Sequence, residues 1–300
     1  MKGQYKRQVA LLLQVLPEVA KEDCLALHGG TAINLFAREM PRLSVDIDLT
    51  YIPTENRQTS LDTIANSLIR ITERLEKAIP KAQIVFKPAI SKLLVSHQGA
   101  QIKVEVNQTN RGVLGDPVGM ILCDHAQEEF DAFCEVPVVP FGQLYGGKIC
   151  AALDRQHPRD LFDVKLLLEN EGLSPEMTPG LLLSILSSNR PIHELLNPNL
   201  LDQRSALTNQ FEGMTSELFS YEQYEVTRQE LIKTVQQNMS DQDKRFLLSV
   251  SNADPDWSIY NFERFPSVQW KLQNLTKFKT DSLDKHQEQH SALLSLLSND

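Results

Sequence analysis

The sequence has few cysteines, only short apolar runs and no excess of basic charge. Its 300 residues include 4 cysteines, and 30 Lys and Arg residues stand against 39 Asp and Glu residues, a formal net charge of −9. No two cysteines have the C-x-x-C spacing of zinc or redox sites, and four are too few for a disulfide scaffold. We therefore expect reduced thiols in a cytoplasmic protein. The negative charge argues against a chain that holds nucleic acid over its whole surface, but is compatible with a local basic groove.

Membrane-spanning segments are also not expected. Apolar runs such as residues 11–13, 181–183 and 292–297 fall far short of the roughly 20 residues that cross a bilayer. The basic N-terminus leads into an apolar run that ends at Pro17 without a small-residue cleavage site. A helix limited by this proline is predicted there, and not a signal peptide.

The hydrophobic patterns predict an α/β (α+β) protein in two parts. Residues 1–140 would form a core domain with a mixed sheet flanked by helices, and residues 141–300 a largely helical domain. The predicted helices of the core are at 5–20, 32–39 and 61–79, and the last is capped at Ser60. The predicted strands are at 24–27, 44–51, 84–86, 92–95, 102–106 and 136–139. The last strand would lie at the edge of the sheet because it contains Pro137. The second part would begin with helices at 143–153 and, after a His157 cap, from Pro158 to about residue 168.

A tight glycine turn is the first stretch that suggests chemistry. Gly29, Gly30 and Thr31 lie between a predicted strand and a predicted helix. Backbone N–H groups and a hydroxyl at such a turn can hold a phosphate. The alternative is a plain strand-to-helix turn, which is the commoner use of two glycines.

Two carboxylates follow in the predicted strand 44–51. Apolar residues alternate there with Asp46 and Asp48, so both carboxylates share one face with their Cα atoms about 7 Å apart. Their oxygens could converge on one or two Mg²⁺ ions, whereas the alternative is a solvated polar face.

A third carboxylate, Glu105, lies on the polar side of the predicted strand 102–106. Alone it would be an ordinary surface residue. After the glycine turn and the two aspartates, it completes an order that suits nucleotidyl transfer, in which one metal ion activates a hydroxyl and another binds the triphosphate.

A second group of charges lies in the helical part. Lys148, Arg155 and Arg159 recur at intervals of seven and four, so one basic stripe could face a triphosphate. The alternative for Lys148 is a solvated helix residue. Asp160 and Asp163 have a structural explanation nearly as good as a catalytic one, because Asp160 suits a helix start and Asp163 could pair with Arg159.

Four stretches together resemble the AbiEii/AbiGii-type nucleotidyltransferase toxins, within the DNA polymerase β-like nucleotidyltransferase superfamily. They are LHGGTAINLF at 27–36, PRLSVDIDL at 41–49, KVEVN at 103–107 and GKICAALDRQHPRDLFD at 147–163. Much of the superfamily has serine directly after the first glycine of the turn, where this chain has Gly30 followed by Thr31. The resemblance covers about residues 25–170, and the rest of the chain resembles the family mainly in being helical.

The resemblance implies a nucleotidyltransferase fold and assigns roles to eight residues. The nucleotide-binding set would be Gly29, Gly30, Thr31 and Lys148. The metal-binding set would be Asp46, Asp48 and Glu105, and these with Lys148 and Asp163 would form the catalytic set. The helical domain would thus contribute to the active-site cleft.

The implied reaction is Mg²⁺-dependent transfer of a nucleoside monophosphate from an NTP to an acceptor hydroxyl. The family implies a toxin with a cognate antitoxin protein, and an RNA acceptor, the tRNA 3′ end. Two alternatives remain: an enzyme of this fold that modifies a small molecule or a protein hydroxyl, and a nucleotide-binding module without turnover. The one aromatic and basic mixture that could contact RNA consists of Trp257, Phe262, Trp270, Lys271, Lys277 and Lys279, and its alternative is helix packing.

Overall fold

The computed structural model describes residues 2–298 and divides the chain into two compact units. One unit holds residues 2–140 together with the later segment Phe211–Leu218. The other holds Phe141–Gln210 and residues 219–298. None of the helices in residues 2–298 combines the length and the hydropathy needed to cross a membrane.

The first unit contains a seven-stranded mixed sheet. Its strands are β1 (Leu25–His28), β2 (Asp46–Tyr51), β3 (Gln83–Lys87), β4 (Lys92–His97), β5 (Ala100–Val106), β6 (Val118–Ile121) and β7 (Glu135–Val138), in the order β3-β4-β5-β2-β1-β7-β6. The β2–β5 and β1–β7 pairs are parallel, and the other four pairs are antiparallel. The predicted mixed sheet is confirmed.

The helices of the first unit are α1 (Gly3–Val19), α2 (Gly29–Ala32), α3 (Arg57–Ala78) and α4 (Asp124–Phe130), with a π-helical turn at Ile33–Ala37 and a 3-10 turn at Pro88–Ile90. Both α1 and α3 pack on the sheet and on each other. The apolar stripe predicted for α3 is buried. Its N-cap is Asn56, which accepts from the Thr59 N–H, so the predicted Ser60 cap was wrong. Pro17 also does not end α1, which continues to Val19.

The far end of the sheet differs from the sequence prediction. The strand around Pro137 is not at the edge, because β7 lies between β1 and β6, and β6 takes the edge position. Proline is tolerated there since the ladder between β7 and β1 is limited to the pair Leu27 and Val138, beyond the residue that lacks an N–H.

The second unit is helical. It contains α5 (Phe141–Arg155), α6 (Pro158–Asn170), α7 (Thr178–Ser187), α8 (Ile192–Leu196), α9 (Arg204–Ala206), α10 (Tyr221–Gln237), α11 (Asp241–Ser251), α12 (Pro266–Asp281) and α13 (Leu283–Ser298), with a 3-10 turn at Pro175–Met177. A π-helical turn at Leu207–Phe211 ends on the first residue of the segment that belongs to the first unit. The predicted break between α5 and α6 is confirmed, and the His157 side chain accepts from the Arg159 N–H as a cap.

Close backbone packing fixes α5, the helix that carries Lys148. A Cβ atom on Gly146 would lie 2.2 Å from the backbone nitrogen of Leu181 in α7, and one on Gly180 would lie 2.1 Å from the backbone oxygen of Gly142. Only glycine fits at these positions, so the two helix backbones touch.

Candidate active site

Three carboxylates lie on neighbouring positions of two parallel strands; Asp46, Asp48 and Glu105 are here called the carboxylate row. In the β2–β5 register, Asp48 pairs with Glu105 and Asp46 pairs with Lys103. On the other side of β2, Asp48 is the partner of His28 at the end of β1. Directly paired residues point to the same face of a sheet, so His28, Asp48 and Glu105 form one line across three strands.

Lysines accompany two members of the carboxylate row. Lys103 Nζ lies 3.3 Å from Asp46 Oδ1, and Lys92 Nζ lies 2.7 Å from Glu105 Oε2. The Asp46 side chain is 23% exposed and that of Glu105 is 43% exposed. No group of three His, Cys, Asp or Glu residues within residues 2–298 is arranged to hold a metal ion. The structure therefore aligns the three carboxylates but directs Glu105 toward Lys92.

The glycine turn lies directly against Asp48. Gly29 has a φ of +76°, in the left-handed region that favours glycine. A Cβ atom on Gly29 would lie 2.8 Å from Asp48 Oδ2. The backbone conformation therefore favours glycine, and a side chain here would also displace the Asp48 carboxylate. The turn predicted to hold phosphate lies next to a carboxylate predicted to hold metal.

Thr31 has a more internal position than its predicted role suggests. It is fully buried, and its hydroxyl donates to the Asp46 carbonyl oxygen at 2.5 Å and lies 3.0 Å from Ser44 Oγ. These contacts tie the turn to the start of β2. In this structure the Thr31 hydroxyl therefore donates its hydrogen bond to the backbone of Asp46.

A second charged group, here called the lysine cluster, joins α5 to α6. Its members are Lys148, Arg155, Asp160 and Asp163. Lys148 Nζ lies 2.9 Å from Asp160 Oδ1 and 3.0 Å from Asp163 Oδ2, and the three side chains are 6%, 2% and 0% exposed. Arg155 donates to both Asp160 oxygens, through Nε at 2.6 Å and Nη2 at 3.1 Å, from a largely exposed position.

Formal charge balances within the lysine cluster. Two cations face two carboxylates, which is the condition under which buried charges are tolerated. Burial acts to raise the pKa of the Asp160 carboxyl, but the charges of Lys148 and Arg155 outweigh it and lower that pKa below its usual value. Asp160 is thus held as a carboxylate that orients the Lys148 ammonium.

The structure brings two predicted site residues, Lys148 and Asp163, into contact and adds Asp160 to them. Asp160 is not in the predicted catalytic set, because a helix start explains it nearly as well. The predicted open basic stripe is not found, since Lys148 is buried and Arg155 turns to Asp160. The contacts of Lys148 with Asp160 and Asp163 join residues on either side of the helix break, so no spacing within one helix could have predicted them.

The predicted RNA-contacting mixture is in part packing. Phe262 is buried in an aromatic cluster with Phe246 and Tyr260. Lys271 is buried and donates to the carbonyl oxygens of Ser188 and Arg190 just beyond α7, and burial lowers its pKa to about 8. Lys271 therefore serves the fold of the helical unit.

Comparison with known proteins agrees with this architecture. A family model described as "Nucleotidyl transferase AbiEii toxin, Type IV TA system" matches residues 10–274. The chain is similar in structure to MenT4, a nucleotidyltransferase toxin from Mycobacterium tuberculosis H37Rv, with a TM-score of 0.60 and 13% identity over 91% of this chain and 93% of that one. At this identity the likeness shows a shared fold. No curated protein matches the sequence.

The family match spans most of the chain and includes all four stretches that carry the resemblance. It confirms the family, the fold and the enzyme class that the motifs predicted, and it implies a nucleotide substrate and a cognate antitoxin. The chain belongs to the AbiEii nucleotidyl transferase toxin family of type IV toxin–antitoxin systems.

Proposed function

We propose that the protein transfers a nucleoside monophosphate from an NTP to a hydroxyl group of RNA, the tRNA 3′ end, in a reaction that depends on Mg²⁺. The acceptor oxygen forms a new bond to the α-phosphorus, and the bond from that phosphorus to the bridging oxygen of pyrophosphate breaks. The observation that carries the proposal is the position of Asp48, which lies against the Gly29 turn and beside Glu105 in the strand register.

The chemistry of the carboxylate row supports a magnesium site, because carboxylate oxygens are ligands that Mg²⁺ prefers. Mg²⁺ in proteins is commonly held by one or two carboxylates, with the remaining positions filled by water and substrate phosphates. Asp46 and Asp48 supply such a pair, and Glu105 is the third candidate. When bound, Mg²⁺ would neutralise charge on the triphosphate and polarise its oxygens.

The chain's own groups would supply the other functions. Backbone N–H groups at Gly29, Gly30 and Thr31 would donate to phosphate oxygens. The Lys148 ammonium would stabilise negative charge on the phosphates, and Asp163 would keep it oriented. A carboxylate would accept the proton of the attacking hydroxyl as general base.

The RNA acceptor and the antitoxin partner come from the family resemblance. Both substrates of such a reaction are cytoplasmic, so we propose the cytoplasm as its location. A salt-sensitive interaction with RNA would agree with this acceptor, because phosphate contacts weaken steeply as the salt concentration rises.

Labelled nucleotides test the proposal directly. The purified chain is incubated with Mg²⁺, bulk bacterial RNA and each α-³²P-labelled NTP in turn, beside the Asp46→Ala, Asp48→Ala and Lys148→Ala variants. Wild-type protein should label an RNA band of tRNA size with one or more NTPs, and the three variants should not. The same NTP labelled at the γ-position should leave the RNA unlabelled, since pyrophosphate departs.

Other results would change the conclusion. Tight Mg²⁺-dependent NTP binding without label on RNA would indicate a small-molecule or protein acceptor. No NTP binding at all would overturn the proposed reaction for this chain. Label on RNA that survives in the Asp46→Ala and Asp48→Ala variants would overturn the assigned metal-binding residues.

A further inference from the structure

We propose that Arg42 is a positioning residue for nucleotide binding, which fixes the Gly29–Gly30–Thr31 turn and holds a permanent positive charge behind it. The inference rests on the proposed function and goes beyond it, because Arg42 has no place among the predicted nucleotide-binding or metal-binding residues. It concerns a side chain that supports the turn and is not itself a catalytic residue.

Arg42 lies in contact with the turn from inside the protein. Its side chain is among the largest fully buried ones, with 2% of the residue exposed. A Cβ atom on Gly30 would lie 2.8 Å from Arg42 Nη2 and 3.8 Å from its Cζ. The guanidinium therefore occupies the space that any side chain at position 30 would need.

The two glycines of the turn serve different purposes. Gly29 has a left-handed backbone, but Gly30 is not among the residues with positive φ. Conformational freedom therefore explains glycine at position 29, whereas close approach of Arg42 explains it at position 30. The second glycine is required by a side chain twelve positions later in the sequence.

Hydrogen bonds hold the backbone on both sides of Arg42. Leu43 N–H donates to the Met214 carbonyl oxygen at 2.7 Å, and the Thr215 hydroxyl donates to the Pro41 carbonyl oxygen at 2.9 Å. The segment Phe211–Leu218, which returns to the first unit, thus pins the backbone around Arg42. Arg42 Nη1 itself donates to the Leu43 carbonyl oxygen at 3.0 Å.

The turn also contacts Ser44, two residues after Arg42. Thr31 Oγ1 lies 3.0 Å from Ser44 Oγ, and Ser44 Oγ would lie 3.1 Å from a Cβ atom on Gly30. Both ends of the 42–44 segment are thereby fixed, and the guanidinium can leave the turn only by breaking its hydrogen bond to the Leu43 carbonyl oxygen.

A buried guanidinium at this place has an electrostatic consequence. Arginine keeps its charge at every physiological pH, and charge interactions are stronger in the protein interior than in water. A fixed cation behind the turn therefore favours anionic groups bound at its outer surface, without reorganisation when they bind. The effect grows with the number of phosphate charges, so a triphosphate gains more than a monophosphate.

The test compares how the variants bind an NTP and the corresponding NMP in Mg²⁺ without acceptor, measured by isothermal titration calorimetry. Arg42→Met should weaken NTP binding by about 30-fold but NMP binding by less than about 3-fold. The substitution removes the attraction between the guanidinium and the phosphates, and this attraction grows with the phosphate charge. Arg42→Lys, which keeps the charge but loses the planar fork, should fall between wild type and Arg42→Met. The matched control is Arg57→Met, an exposed arginine of the same unit.

A purely structural role gives a different result. A loosened turn would weaken NTP and NMP binding by similar factors, and that outcome in folded Arg42→Met protein would overturn the inference. Unchanged NTP binding in Arg42→Met would also overturn it. Wild-type protein that binds no NTP would overturn the proposed function itself, which distinguishes the two failures.

Gly30→Ala covers the case in which Arg42→Met does not fold, and a double variant extends the test where Arg42→Met folds. Gly30→Ala should destabilise the protein and weaken NTP binding, because the methyl group displaces the guanidinium. The double variant Gly30→Ala/Arg42→Met should be more stable than the Gly30→Ala variant, yet still bind NTP as weakly. Full NTP binding in Gly30→Ala, or recovery of it in the double variant, would contradict the role of Arg42.

Discussion

The carboxylate row and the lysine cluster use the same chemical groups in opposite surroundings. In the row, Asp46 and Glu105 keep 23% and 43% of their side chains exposed, and each faces one lysine. In the cluster, Asp160 and Asp163 are at most 2% exposed and share a single lysine. Strand positions open to water supply the first set, and the contact between two packed helices supplies the second.

This difference separates charges that are partly open to water from charges that buried partners hold in place. Exposed ion pairs contribute about 0–1 kcal/mol to stability and are easily exchanged for other partners. A buried balanced group contributes little net free energy, but removing one partner from such a pair destabilises by about 3–5 kcal/mol. We therefore expect substitutions in the row to affect activity alone, and substitutions in the cluster to affect activity and stability together.

The largest expected effect is the loss of activity in Asp48→Asn. Removing the charge that lies against the turn should lower nucleotidyl transfer by about 10³-fold, as when a group that stabilises transition-state charge is lost. The free energy of unfolding should change by no more than about 0.5 kcal/mol, since the side chain is exposed. Initial rates and urea unfolding measure the two quantities, with the exposed Asp62→Asn in α3 as control. A loss of activity below tenfold would contradict the assignment.

Lys148→Met should have the largest effect on stability. The ammonium bonded to both buried aspartates is lost, so we expect destabilisation by about 3–5 kcal/mol together with loss of activity. Both tryptophans, Trp257 and Trp270, lie in the helical unit, so their fluorescence in urea follows that unit. Lys165→Met, which removes a pair with Glu169 on α6, is the control and should change stability by about 0.5 kcal/mol or less. Equal effects of the two substitutions would refute the distinction between cluster and surface pair.

Asp160→Asn should have an intermediate effect on the free energy of unfolding, and a pH series on this variant tests its electrostatic origin. Because the pKa of Asp160 is lowered in the folded protein, its carboxylate stabilises the fold above its unfolded pKa of about 3.9. The stability difference between wild type and variant, about 2 kcal/mol at pH 7, should persist down to about pH 4 and shrink below it. Tryptophan fluorescence in urea at several pH values gives this difference. A difference that grows as the pH falls would have the wrong sign for this model.

The smallest expected effect concerns Glu105. Glu105→Gln should raise the Mg²⁺ concentration needed for half-maximal activity by about 10-fold, with little change in stability because the side chain is 43% exposed. Lys92→Met is the matched control, since it removes the ion pair but keeps the carboxylate. An unchanged Mg²⁺ requirement in Glu105→Gln would leave Asp46 and Asp48 as the metal-binding pair.

Periodicity predicted most of the elements that position these sites. The alternation in residues 44–51 predicted β2 with Asp46 and Asp48 on one face, and the apolar spacing predicted α3. The break between α5 and α6 was predicted from His157 and Pro158. The prediction was wrong at Ser60 as a cap and at Pro17 as a helix end, since capping and termination depend on neighbouring hydrogen bonds as well as on residue type. The inner position of β7 could not be read from Pro137, because the paired positions of a strand are a tertiary property.

The sequence by itself determined the glycine turn, the aspartate strand and the lysine helix, because hydrophobic periodicity and backbone propensity act over neighbouring residues. Only the tertiary structure decided that Arg42 fills the space at Gly30, that Met214 holds the Arg42 segment, and that Asp160 shares Lys148 with Asp163. Each of these contacts joins residues from different elements, and the burial that makes them strong exists only after the elements pack.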